Sequence, residues 1–594
     1  MNLNNSLKKI VLLAIIILLV TSSTAITSFI FLKKTDTIQK STDKYTFTVK
    51  INIAPDSIIY EGDIIDCDIT GDTTLKYWQI NNQTPHSTFY KDDPVIFDPE
   101  PTPLNEEYVT LSVHAWNDNE HVYDTVRVKI KRLFFGDIHF HSRISDGFHK
   151  IDTLYQNAIN DNYLDFACLT DHAEIINGLD HTPHQPLWMR IQSLVQFFLH
   201  KIFGRDEWQI IKNKANEYYT PGSFTTFLGF EYSAGPWYPG GWPWSPNGHE
   251  DISHINFYYR DVYPEAPEYS GWEKHTFNDI FQAMSDEYDK GHMNVGFPHH
   301  PLMKMGLGGP CSVNWTFLAN DIINKVSRDR VLRGVETYSK WGTAIGKYSG
   351  IPVLWPYYES SCDDHQEYWV ENGLWEWSKN ERKNQRFVLM AGSDNHAVDR
   401  PGSASMQSRI SRKHPNPSGI VAAYSVHNTR GEIWDALNSC SIYGSQLLKI
   451  RANVRFNGQM APGRWINCTS PLKIQVTAQS TFPGLDRSEK RMCPHDYSPD
   501  ELDYPISDIW LVKKDKARGQ PWCKVVGHVS PNTNLAVVHF EDSDVQPNDF
   551  YYVAVRQKGE LLGEEDGNDK QDYTRDEYMA FFGPVFINKV KNES

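Results

Sequence analysis

Apolar and polar positions follow three successive patterns along this chain. Over residues 45–132, short alternating segments (45–53, 64–70, 108–116 and 124–130) are separated by turns such as Asp92-Asp93-Pro94 and Asn117-Asp118-Asn119. Period-two alternation with that punctuation predicts the strands of a small β-sandwich. From 133 to about 445 the pattern changes: a helical stretch at 151–161 precedes a short apolar run at 164–169. Further apolar runs follow at 225–229, 293–297, 331–338 and 387–391. Alternation of helices and apolar strands predicts a mainly parallel α/β sheet or barrel, in which the active site sits at the C-terminal ends of the strands. Segments 450–457, 472–478, 509–513, 535–540 and 550–556 then return to strand-and-turn texture and predict a second β-sandwich. The expected division is 1–34, 35–132, 133–445 and 446–594.

Residues 10–32 form a mostly apolar run between Lys8-Lys9 and Lys33-Lys34. About 20 apolar residues suffice to span a bilayer. A cleavable signal peptide would need a small-residue site, and Ser23-Thr24-Ala25 offers one. Apolar residues continue past it to Leu32, which favours an uncleaved anchor. Either reading places the rest of the chain outside the cytoplasm, as a secreted protein or one held at the membrane by its N-terminal helix.

The remaining composition excludes more than it selects. At 594 residues, several domains are expected. With 40% apolar and 22% charged residues the chain is not wholesale disordered. A net charge of −16 repels a phosphate backbone, so no nucleic-acid partner is expected. The 8 cysteines form no CxxC pair, which argues against a cysteine zinc site; Cys493 and Cys523 are a candidate disulfide pair.

The 23 histidines are unevenly placed. In Gly136-Asp137-Ile138-His139-Phe140-His141-Ser142, strand geometry points His139 and His141 the same way, and Asp146 follows in the next loop. The run Phe166–Leu169 leads to Thr170-Asp171-His172, and Thr226–Phe230 ends in Glu231. His254 stands in Ser253-His254-Ile255-Asn256, and His299-His300 precede Pro301. The last cluster is Gly392-Ser393-Asp394-Asn395-His396, where Asp394 and His396 repeat the i, i+2 arrangement. Metal-type side chains thus follow at least four separate apolar runs. Imidazole and carboxylate donors without thiolates suit zinc, manganese or iron, and their number implies two or three divalent ions. Such ions lower the pKa of water from about 15.7 toward about 7, so a metal-activated hydroxide would need no serine or cysteine nucleophile.

These motifs resemble those of the PHP superfamily, named for polymerase and histidinol phosphatase domains. The shared pattern is Gly-Asp-x-His-x-His-Ser with Ser-Asp-Gly, then Thr-Asp-His, Gly-x-Glu, a His-Pro step and Gly-Ser-Asp-x-His. All occur in order between Gly136 and His396. Glu231, His254-Ile255-Asn256, Pro298-His299-His300, 335–339, 419–424, 428–437 and 456–460 look like the superfamily's large exported branch with flanking β domains. The resemblance implies a distorted (β/α)7 barrel with a trinuclear site. It suggests His139, His141, His172, Glu231, His254, His300, Asp394 and His396 as ligands, with His299 the alternative to His300. Asp146 is implied as a ligand or proton-handling group, Asp171 as a catalytic or orienting carboxylate, and His299 as a candidate acid.

The leading expectation is a phosphoesterase-like hydrolase acting on a small-molecule or glycan-linked ester, with Lys340, Arg400 and Arg412 as candidates for holding an anion. A second enzyme reading cleaves sulfate, acyl or amide bonds in cell-surface glycans, with Trp355, Tyr357, Tyr358, Tyr368, Trp369, Trp375 and Trp377 stacking on sugars. A third is a non-catalytic surface binding protein that keeps metals for structure. The apolar stripe at 187–219 reads as helix packed on the barrel, and the aromatic loop 237–244 as a ring-stacking or self-packed segment.

Overall fold

The structure is a computed structural model. It describes residues 48–64, 67–70, 75–80, 86–89, 102–116, 121–160, 164–176, 204–234, 253–271, 273–274, 276–299, 301–302, 304–305, 309–310, 315, 318, 325–340, 342–352, 369–379, 385–396, 401, 403–404, 416–417, 419–446, 449–480, 505–558 and 577–592. Among these, no helix is long and apolar enough to cross a membrane. The apolar run at 10–32, the loop 237–244 and the stripe at 187–203 lie outside the described residues; the rest of that stripe includes the helix Glu207–Glu217.

The fold is mixed α/β, with strands in the majority. Among the described residues every helix falls between Ile151 and Ser439, and strands alone lie on either side. The elements that build the centre are β1 (His121–Phe140), α1 (Ile151–Asn160), β2 (Phe166–Leu169), α2 (Glu207–Glu217), β3 (Thr225–Thr226) and β4 (Leu228–Ala234). They continue with β5 (Ser253–Tyr259), α3 (Phe277–Asp289), β6 (Asn294–His299), α4 (Lys325–Val331), β7 (Gly334–Ser339), α5 (Val370–Trp377) and β8 (Val388–Ala391). Then come β9 (Gly419–Ser425), α6 (Arg430–Ser439), β10 (Ile442–Gln446) and, near the C-terminus, β11 (Glu577–Asn592). Local chemistry sets the helix ends: Thr276 and Asp279 form a reciprocal capping box at α3, and Phe277, Ile280, Phe281 and Met284 bury one face.

Backbone pairing follows a path that returns to its start. β1 pairs parallel with β2 and β2 parallel with β3. The bridge His172↔Glu231 leads into β4, whose neighbours β5 and β6 follow in antiparallel register. The parallel bridge Gly296↔Leu332 leads to β7, which pairs parallel with β8, and Phe140↔Asn395 leads back to β1. Strict βα alternation predicts parallel neighbours throughout, yet β5 runs against both of its partners. In an antiparallel pair the first residues of one strand lie beside the last residues of the other. The start of β5 therefore joins the ends of β4 and β6.

α6 packs Ile433, Trp434, Ala436 and Leu437 into a buried cluster with Ile138, Phe166, Tyr258, Val295, Phe297, Val388 and Met390 from these strands. Trp434 Nε1 donates to the Tyr258 carbonyl (3.2 Å), and Tyr258 Oη donates to the Ile138 carbonyl (2.8 Å). Burial of each large side chain contributes about 1.5–3 kcal/mol.

Hydrogen bonding also joins the regions separated on sequence grounds. β1 runs without interruption through position 132–133; its first half pairs with Val109–Trp116 and its second with β9. β10 links β9 to β11 through Gly444↔Phe581, so the sheet continues into the C-terminal strands.

Candidate metal centre

The donor side chains come from one end of the paired strands. His139 lies at the end of β1 and His141 directly follows it, and the loop beyond carries Asp146. His172 follows β2, Glu231 lies within β4, His254 starts β5, His299 ends β6, and Asp394 and His396 follow β8. Register fixes three of them together: Ser233 opposes His254, which opposes His299, while Glu231 opposes Asn256. The loop after β8 is tied to β1 by Asp394 N–H to the His139 carbonyl (2.7 Å) and His141 N–H to the Asn395 carbonyl (2.8 Å).

Three overlapping donor groups result, each with ligand atoms within 4.8 Å of one another: His141, Asp146, His172 and His396; His139, His141, Glu231 and Asp394; His172, Glu231 and His254. In the first, Asp146 Oδ2 stands 3.0 Å from His396 Nε2 and 3.6 Å from His172 Nε2. In the second, Glu231 Oε2 lies 3.3 Å from His139 Nε2 and 3.2 Å from His141 Nε2, and Asp394 Oδ1 lies 3.4 and 3.2 Å from the same two nitrogens. In the third, Glu231 Oε1 contacts His254 Nδ1 and stands 3.4 Å from His172 Nδ1; His299 Nε2 is 3.1 Å from the same oxygen. His141, His172 and Glu231 each belong to two groups.

A ring of supporting contacts holds these side chains. Glu336, in the middle of β7, places Oε2 2.7 Å from His139 Nδ1. Asp137 accepts from the His139 and Ser393 N–H groups and from Ser393 Oγ (3.0, 3.1 and 2.5 Å). Gly392 permits the close approach: a Cβ there would meet Glu336 Oε2 at 2.5 Å and His139 Cβ at 2.7 Å. Ser233 Oγ is 3.1 Å from His172 Nδ1. Glu174 Oε1 accepts from Ser233 and Gly271 N–H groups, and its Oε2 stands 4.0 Å from His172 Nδ1. Asp394 itself has φ +52°, a left-handed conformation uncommon outside glycine.

Charge is strongly coupled across the centre. Burial disfavours ionised carboxylates, yet His396 and His172 hold Asp146 well below its ordinary range, and His172, His299 and His254 do the same for Glu231. Burial by itself would lower the imidazoles, but Glu336 and Asp394 raise His139 well above its ordinary value. Asp394 and Glu231 push His141 up to about 9, and Glu231 and Asp146 raise His172. Burial dominates at His299, pushed down to about 3, and lowers His396; it raises Glu336 and Glu174.

Of the expected residues, His139, His141, Asp146, His172, Glu231, His254, Asp394 and His396 fall in the three groups, and His299 borders the third. His300, Arg400 and Arg412 lie outside the described residues. Asp171 belongs to no group: Oδ1 accepts from Ser142 N–H and Ser145 Oγ (2.7 and 2.6 Å), and Oδ2 from Ser142 Oγ (2.6 Å). It holds the loop that presents Asp146. Lys340 lies at the centre, with Nζ 2.6 Å from His396 Nδ1 and 3.3 Å from Asp394 Oδ2. Trp369 and Trp377 are buried, and Trp375 donates to the Trp522 carbonyl, so these rings pack the fold instead of facing a ligand; Trp355, Tyr357, Tyr358 and Tyr368 are outside the described residues. Cys493 lies outside the described residues; Cys523 is buried.

Sequence reading assigned no role to Glu336, Asp137 or Glu174. The available signal for Glu336 was a carboxylate inside the otherwise uncharged strand Gly334–Ser339.

The family described as "Protein of unknown function (DUF3604)" matches residues 189–308. No curated protein matches. Among solved structures, a two-domain protein from Bacteroides vulgatus containing a predicted PHP-like metal-dependent phosphoesterase is 12% identical, covering 72% of this chain and 90% of that one, with a TM-score of 0.30. A β-glucuronidase from Parabacteroides merdae is 9% identical over 92% of this chain and 65% of its own, with a TM-score of 0.14. β-Glucuronidase 3 from Bacteroides uniformis is also 9% identical, over 93% of this chain and 64% of its own, with a TM-score of 0.14. These scores are too low for the structural likenesses to carry an argument.

Proposed function

We propose that this chain is a metal-dependent hydrolase of the PHP kind, acting as a phosphoesterase with two or three divalent ions. The observation that carries the reading is the sharing of His141, His172 and Glu231 among three adjoining donor groups. A set of separate polar networks would not need every group to join the next. The donors also fit cations. Both ring nitrogens of His141 are buried and make no hydrogen bond of acceptable geometry, although carboxylate oxygens stand 3.2 Å from Nε2. Nitrogen and oxygen lone pairs converging in this way suit zinc, manganese or iron. The closed path of strand pairing supports a (β/α)7 barrel as the scaffold.

His139, His141, Glu231 and Asp394 would hold one ion, His141 or His172 with Asp146 and His396 a second, and His172, Glu231 and His254 a third, with His299 or His300 completing the set. Bound ions supply an activated water and neutralise charge developing on a phosphoryl oxygen. Glu336 fixes the ring of His139 through Nδ1, leaving Nε2 to face the carboxylates. Asp171 fixes the loop that carries Asp146. Lys340 brings a positive charge to the same place and would receive an anionic substrate oxygen. The apolar run at 10–32 supports export of the chain, membrane-anchored or secreted.

The test is a panel of phosphate, sulfate and acyl esters and amides, offered to metal-free protein and to protein loaded with Mn²⁺ or Zn²⁺. Phosphoester cleavage that chelation abolishes and metal restores is the expected result. Cleavage confined to the sulfate, acyl or amide compounds would move the reading to another bond, and no turnover by fully loaded protein would leave a binding protein.

A further inference from the structure

Exposure to solvent is uneven across the centre. The side chains of His396, His172, Lys340 and Asp146 are 19%, 12%, 10% and 9% exposed, whereas His139, His141, Glu231, His299 and Asp394 are at 0–2%. Phe148 stands two residues beyond Asp146 with its side chain half exposed. Its backbone is held at the centre: Phe148 N–H donates to the His396 carbonyl (2.8 Å), and Arg143 Nε donates to the Phe148 carbonyl. Gly147 lies so close to His141 that a Cβ would come within 2.3 Å of its carbonyl oxygen. Single exposed apolar side chains are common on protein surfaces and need no explanation. This one differs because its backbone N–H is tied to the carbonyl of His396 and it stands two residues beyond Asp146, both among the more exposed candidate ligands.

We propose that Phe148 is a specificity-determining residue, offering an apolar face to the part of the substrate next to the ester while Lys340 receives the anionic group. The substrate class is then an anionic ester with a ring or other flat apolar face beside the reacting bond. This rests on the hydrolase reading of the centre. Small apolar leaving groups would lose the contact with Phe148, and uncharged esters would lose the contact with Lys340.

Binding of two phosphonates to Mn²⁺-loaded protein tests this without requiring turnover. Phenylphosphonate should bind more tightly than methylphosphonate by roughly fivefold, the scale of one aromatic contact. F148A should bring that ratio close to one, and F148Y should keep it. K340M should weaken both compounds by a similar factor. An unchanged ratio in F148A, or no binding of either phosphonate to the loaded wild type, would overturn the proposal. A protein that shows the ratio but cleaves none of the esters above would lose the hydrolase reading and keep the role of Phe148.

Discussion

Glu336 Oε2 stands 2.7 Å from His139 Nδ1, and the two residues are 197 positions apart in a part of the fold where both are buried. A carboxylate behind an imidazole fixes its tautomer and raises its basicity. Replacing Glu336 with Gln keeps the shape and removes the charge. E336Q should weaken metal binding by about 10–100-fold while the fold survives. Competitive metal titration with circular dichroism checks both parts; unaltered affinity would remove Glu336 from the centre.

Glu231 and His254 should differ in their effect on stoichiometry. Glu231 belongs to two donor groups and His254 to one. E231Q should lower the bound metal by more than H254A does, and H254A by at most about one ion per chain. Elemental analysis of the purified variants measures this directly. Equal losses would mean that the groups do not share Glu231.

Metal uptake should release protons. In the metal-free centre, burial opposes charge on His141, but Asp394 and Glu231 hold its proton up to about 9; His139 and His172 are raised as well. At pH 7 His141 therefore carries its proton, and a cation must displace it. Calorimetry in buffers of different ionisation heat should show net release, and affinity should climb with pH until about 9. The same shifts stabilise the metal-free fold. For His141, whose folded pKa of about 9 lies above the ordinary value near 6.5, that contribution is complete below about 6.5 and fades as pH rises through about 9. Proton-neutral binding at pH 7 would contradict the electrostatic description.

Asp171 is expected to matter without touching an ion. Its carboxylate accepts three hydrogen bonds from Ser142 and Ser145. D171A should cost about 1–3 kcal/mol through the groups left unpaired. It should also loosen the first donor group, which includes Asp146, more than the third. Thermal denaturation and metal counts separate this from direct ligation, in which an ion would be lost with little change in melting.

Gly392 should tolerate no side chain. G392A would drive a methyl group into Glu336 and His139. Overpacking of this kind costs about 1–3 kcal/mol, and metal affinity should fall with it. A variant with wild-type melting temperature and metal content would show that this approach is not needed.

Much of the centre was legible because parallel strands carry functional groups at their C-terminal ends. His139, His141, His172, Asp394 and His396 each follow or end an apolar run, where that rule directs attention. His254 does not fit it: it begins a strand, and only the reversed direction of β5 brings it to Glu231. Direction of this kind has no local signature, since an apolar strand reads the same either way. Glu336 and Asp137 were hidden for another reason. They sit inside strands, and Glu336 meets His139 and Asp137 meets Ser393, partners far off in sequence, so alternation shows a charged residue in a buried place without saying what it meets across the fold. The regions on either side read correctly as strand-rich, but hydrogen bonding across position 132–133 could not be inferred, because neither the turn residues nor the period mark a strand that changes neighbours along its length.

That strand also governs how the polypeptide can be cut. A truncation made between 132 and 133 would sever it in mid-course, strip Leu133 of the Glu61 carboxylate that accepts its N–H, and leave the histidine-bearing half without its covalent lead-in. Fragments engineered for expression therefore do better to begin ahead of Ser57, which keeps Glu61 and the segment Ser57–Tyr60 that pairs with Val128–Lys131.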